Sequence, residues 1–185
     1  MERDFVSPFN KITIDKILKT VVEAFEGRTA KVILAGGLAM IAYGMKGRDT
    51  YDLDGEVSVH DIRVIEKVSK KLKQEGIVAE LSDNISRWSM IDIPPDYRKR
   101  TRPYKKIKGV EFHLLSPLDL IISKLRVFRE IDIEDSKYLM KKFHITMNEL
   151  KQEAERAISI SPSSTELSIF RKNLGHFEKI FGKPT

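Results

Sequence analysis

The residues whose types and spacing could most plainly do chemistry are Ala35-Gly36-Gly37, followed downstream by Arg48, Thr50 and the alternating acids Asp52 and Asp54. Paired glycines let a chain of phosphates approach the backbone closely. Two carboxylates aimed at one point suit magnesium, which takes oxygen ligands and is commonly held by one or two carboxylates together with substrate phosphates. Combined, they describe a two-metal phosphoryl-transfer site.

Such a site needs elements to position it. Lys31 to Ala35 is a short apolar run that reads as a buried strand ending at the glycines. Leu38, Ala39, Ile41, Ala42 and Met45 recur at helical spacing, so the glycines fall in the turn into a helix, where free N–H groups and the helix dipole suit a phosphate. Tyr51 to Val57 reads as a second strand. Residues two apart on a strand share a face, so Asp52 and Asp54 project together, about 6–7 Å apart at their backbones, while Leu53 turns into the core. A glycine pair alone is often turn chemistry, and an isolated Asp-x-Asp is often a solvated strand end; their combination carries the argument.

With Arg48 and Thr50 just ahead of the acids, the segment resembles the signature of the polymerase-beta-like nucleotidyltransferase superfamily. The resemblance implies that Gly36 and Gly37, with Arg48 and Thr50, hold a nucleoside triphosphate. It also implies that Asp52 and Asp54 hold divalent metal, two magnesium or manganese ions. Members commonly need a third carboxylate on an adjacent strand to complete the metal cage and assist deprotonation of the attacking hydroxyl. Trp88 to Ile93 reads as a strand with Trp88, Met90 and Asp92 on one face, and Asp92 takes that role. Glu111, within Val110 to Leu115, is the competitor, and the order of elements favours Asp92. A departure from the pattern is Gly55-Glu56, which predicts an early strand end or a bulge and would let Glu56 reach the metal.

Ser116-Pro117-Leu118-Asp119 places a capping serine, a proline at the first helical position and an acid in the first turn, so a helix starts there. Its apolar stripe is Leu118, Ile121, Ile122, Leu125 and Phe128, leaving Lys124, Arg126 and Arg129 as cations before Asp132 and Asp135. This run resembles the second hallmark of the AbiEii-like branch, which includes toxins of toxin–antitoxin and phage-defence systems. By that resemblance Lys124 touches the nucleotide phosphates and an acid from the following segment orients it. The likeness covers about residues 30 to 140.

Arg98 to Lys108 carries seven cations in eleven residues, within a net charge of +6. Such a run attracts polyanions, and Tyr97 and Tyr104 are candidates to stack on RNA bases; a solvated loop explains the run equally well. A second run, Lys67 to Lys73, reads as the solvated face of a helix from Asp61 to Glu75. The four histidines are scattered and read as structural. Absence of cysteine excludes disulfides, thiolate zinc sites and cysteine nucleophiles. Phosphate-loop, Gly-x-Ser-x-Gly and dinucleotide motifs are also absent. Met1 to Phe5 lacks the apolar run of a signal peptide and no stretch is apolar enough to span a membrane, so a cytoplasmic location without membrane partners is expected.

Further helices are predicted from Ile12 to Phe25, from a capping box at Thr146 to Glu149, and from another at Ser163 to Glu166. Leu167, Phe170, Leu174, Phe177 and Phe181 form a stripe on the last one, for the core or for a partner. The expected fold is α/β (α+β): a mixed sheet flanked by helices in a catalytic core, residues 1–115, with a helical C-terminal part, residues 116–185, packed on it. The expected activity is transfer of a nucleoside monophosphate to an RNA, protein or small-molecule hydroxyl. A hydrolase using water, and a silent nucleotide-binding module or antitoxin-like partner, are the alternatives; an antitoxin or a second copy is the expected protein partner.

Overall fold

A computed structural model describes residues 11–48, 50, 52–58 and 62–181, with side chains from Ile14 onward. The expected helix start at Asp61, together with His60 and Met1 to Phe5, lies outside the described residues.

The first helix, α1 (Lys11–Ala24), leads into β1 (Ala30–Leu34), α2 (Gly36–Ala42) and β2 (Asp52–Val57), then α3 (Ile62–Gln74) and β3 (Val78–Ser82). A 3-10 turn (Ile85–Trp88) and a one-turn helix α4 (Tyr97–Arg100) precede β4 (Arg102–Ile107) and β5 (Val110–Leu114). The chain finishes in α5 (Pro117–Val127), α6 (Glu130–Phe143), α7 (Met147–Ile160) and α8 (Thr165–Phe181). It divides into two units: residues up to Ile85 with Thr101–Leu114, and Ser86–Arg100 with everything from Leu115 onward.

The first unit is built on a five-stranded mixed sheet in the order β3-β2-β1-β5-β4. β1 runs antiparallel to β2 and parallel to β5. Alternation gives the sheet an apolar face of Val32, Leu34, Leu53, Val57, Val110, Phe112 and Leu114, all buried. The opposite face carries Asp52, Asp54 and Glu56, with Glu111 and His113 on β5. β2 keeps unbroken register through Val57, so the early end or bulge expected at Gly55 does not occur. Gly55 is required for another reason: a Cβ there would lie 2.9 Å from the Ile33 carbonyl oxygen. Glu56 is buried, and its Oε2 accepts the Ile85 amide at 3.0 Å, so it holds the start of the 3-10 turn.

The second unit is helical. Ser116 accepts the Asp119 amide with Pro117 in the first turn, and Thr146 forms a reciprocal box with Glu149. α8 is capped one residue later than the pattern predicts, because Ser164, not Ser163, accepts the Leu167 amide at 3.1 Å. Its stripe is not a free interface: Phe170, Leu174 and Phe177 are buried, with α8 packed on α5 and α7.

The strand expected over Trp88 to Ile93 is absent. That segment is a turn and bends whose amides bond to serine hydroxyls: Ile91 to Ser89, Asp92 to Ser161, and Ile93 to Ser86. It belongs with the C-terminal helices because Tyr97 is buried and Arg100 pairs with Asp119 and Glu153. No helix among the described residues is long and apolar enough to cross a membrane.

Candidate nucleotide and metal site

In the sheet unit the glycine turn closes directly on the acid strand. The Ala35 amide donates to the Asp54 carbonyl at 2.9 Å, continuing the β1–β2 ladder past the end of β1. Gly36 has φ +56°, a left-handed conformation that favours glycine. A Cβ on Gly36 would lie 1.6 Å from Asp54 Oδ2, so any side chain there would displace the carboxylate. A Cβ on Gly37 would lie 2.5 Å from Thr50 Oγ1 and 3.1 Å from Arg48 Nη2. Thr50 is buried and its hydroxyl stands 3.5 Å from the Asp52 amide. Gly36, Gly37, Arg48, Thr50, Asp52 and Asp54 therefore come together as one cluster around the end of β1.

Asp52 and Asp54 share a sheet face and are partly exposed, while Leu53 between them is fully buried. The pair is a hard-oxygen donor set matching magnesium or manganese. The space beside Asp54 that a Cβ would fill keeps that carboxylate against the glycine backbone. No group of three or more metal-binding side chains occurs among the described residues.

Register places Glu111 out of reach. It is level with Lys31, whereas Asp54 is level with Ala35, a separation of about 13 Å along the strands and two strands across. Its carboxylate is bonded to Lys106 at 2.7 Å, which holds its pKa below the ordinary value. Beside it, burial and then the Lys31 charge lower the His113 pKa, which leaves that ring neutral at pH 7. His113 Nδ1 lies 3.2 Å from Thr101 Oγ1.

The second unit holds Asp92 and Lys124. Asp92 Oδ1 accepts from Ser86 Oγ at 3.0 Å and its amide donates to Ser161 Oγ at 2.8 Å. Lys124 is buried on α5, with Nζ 2.7 Å from Asp135 Oδ2 and 3.3 Å from Asp132 Oδ1. Both acids are buried, and Asp132 also accepts from Arg129 Nε at 2.9 Å. Burial alone raises the Asp132 pKa, but the Arg129 hydrogen bond and the Lys124 charge outweigh it and leave the pKa lowered. The ammonium is thus fixed by two carboxylates from the next helix.

Of the basic run, Tyr97 is 1% exposed and cannot stack on a base. Arg100 Nε and Nη2 grip Asp119 at 3.2 and 2.5 Å, with Glu153 at 2.7 Å from Nη2. Lys105 pairs with Asp15, and Lys106 with Glu111. Sequence reasoning took Asp119 only as a first-turn acid and Arg126 only as one cation among several.

Fold and site together define a mixed α/β protein with paired carboxylates seated against a glycine turn, a class suited to handling phosphates. Over residues 12–180 the chain matches, and therefore belongs to, the family described as nucleotidyltransferase of unknown function (DUF6036). No curated protein and no solved structure matches it.

Proposed function

We propose that the protein transfers a nucleoside monophosphate from a nucleoside triphosphate to an acceptor hydroxyl. The acceptor oxygen forms a bond to the α-phosphorus, the bond from that phosphorus to the bridging oxygen breaks, and pyrophosphate leaves. The observation that carries this reading is the closure of Gly36 on Asp54, which puts a side-chain-free backbone turn against one of two paired carboxylates.

Asp52 and Asp54 are the residues that would hold magnesium or manganese, which when bound neutralises phosphate charge and favours loss of the acceptor proton. Gly36 and Gly37, with Arg48 and Thr50, receive the triphosphate. Asp92 takes the role of accepting the hydroxyl proton. Lys124, fixed by Asp135 and Asp132, supplies positive charge to the phosphates at little reorganisation cost, since catalysis of this kind is mainly positioning and charge neutralisation.

For the acceptor we favour RNA, in a toxin-like role, on the strength of the seven cations that fall between Arg98 and Lys108. The test incubates the protein with magnesium, each labelled triphosphate in turn, and RNA, protein and small-molecule acceptors, measuring pyrophosphate and labelled product together. Equal yields of pyrophosphate and labelled RNA are expected, and both should vanish in Asp52→Ala. Pyrophosphate without labelled product indicates a hydrolase, and nucleotide binding without turnover a silent module. Growth arrest on expression, relieved by Asp52→Ala, is the expected sign of toxicity.

A further inference from the structure

We propose that Arg126 is a phosphate-binding residue, its guanidinium receiving a phosphate group of the substrate side-on. Arg126 Nε and Nη2 are buried without a hydrogen-bond partner among the described residues. Those two nitrogens form one edge of the guanidinium, with parallel N–H bonds. The same edge of Arg100 shows what belongs there: its Nε and Nη2 are filled by the two oxygens of Asp119. Among the described residues Arg126 has no such counterpart.

Both of its acidic neighbours accept from other donors, Asp92 through one oxygen only. Asp92 accepts from Ser86, and Asp119 accepts from Arg100 and, at 2.6 Å, from Ser116. Burial lowers the Arg126 pKa to about 10, opposed by Asp92, Asp119 and Tyr97, so the group is cationic at neutral pH. A charged fork left unsatisfied in the interior is costly, and proteins retain few such groups without a reason. Two oxygens on one atom fit the fork, as in phosphate or carboxylate. The choice of phosphate rests on the nucleotidyl-transfer reading, and the source is either the nucleotide's phosphates or the acceptor strand.

The test uses the full chain as wild type, Arg126→Met and Arg126→Lys, without metal, and titrates inorganic tripolyphosphate and, separately, a short single-stranded RNA. We expect one of the two probes to bind wild type at least about tenfold more tightly than either variant, since lysine keeps the charge but loses the fork; whichever probe responds names the source. Ligand-free Arg126→Met should melt no lower than wild type, because it removes the unsatisfied donors. Unchanged binding of both probes by the variants, or no binding of either probe to wild type, overturns the proposal, as does a lower melting temperature of Arg126→Met with binding intact. If Arg126→Met does not fold, Arg126→Lys decides alone. Label transfer run on the same proteins separates the two readings. Probe binding lost in the variants while no protein transfers label upholds Arg126 and removes nucleotidyl transfer. Unchanged binding with normal transfer does the reverse.

Discussion

At the scale of single residues, any side chain at Gly36 would overlap the Asp54 carboxylate, and the sharpest consequences follow from that. Gly36→Ala must displace the Asp54 carboxylate and strain a residue at φ +56°. We expect transfer to fall at least about a hundredfold and stability to drop by about 1–3 kcal/mol, read from label transfer and chemical denaturation. Asp54→Asn should abolish transfer with a nearly unchanged melting temperature, since the side chain is partly exposed. Lys124 behaves oppositely. Asp135→Asn leaves a buried ammonium with Asp132 alone, 3.3 Å away, and should destabilise by about 3 kcal/mol, the low end for breaking a buried pair. A loss below about 1 kcal/mol in urea unfolding would show that the clamp is weaker than its geometry implies.

Among the elements, caps and buried acids set the predictions. Ser164→Ala should cost about 1 kcal/mol and Ser163→Ala almost nothing, because Ser164 accepts the Leu167 amide. Asp132 has a folded-state pKa below its ordinary 3.8, so its contribution to stability is complete above that value. It is lost as pH falls through the lower folded-state value. The advantage of wild type over Asp132→Asn, measured as a melting-temperature difference, should therefore persist at pH 5 and shrink in strong acid. The start of α5 was legible because Ser116-Pro117 and Asp119 each act locally, and the glycine turn because strand, helix and acids agreed. The segment from Ser86 to Ile93 was not legible. Alternation of Trp88, Met90 and Asp92 mimics a strand, but serines at 86, 89 and 161 satisfy the amides instead of a neighbouring strand. The Ser161 hydrogen bond, far along the chain, is invisible to local pattern. The register that sets Glu111 level with Lys31 was likewise not legible, because sequence order does not reveal how far along β1 a partner strand is paired.

For the whole molecule, the net charge of +6 concerns partners rather than fold. β4 is an edge strand, and lysines on an edge discourage pairing with other chains, a role Lys105 and Lys106 fill while bonded to Asp15 and Glu111. If RNA binds, log affinity should fall linearly with log salt. Replacing exposed Lys99 and Lys108 by alanine should reduce the steepness of that fall by roughly one for each phosphate no longer neutralised. An unchanged slope would assign these two cations to solvation alone. The site assignment itself stands or falls on the acids of β2. The most direct measurement is label transfer from nucleoside triphosphate by wild type and Asp54→Asn side by side, with circular dichroism confirming that both are folded. The account predicts transfer by wild type and none above background by the variant; equal transfer by both would contradict it.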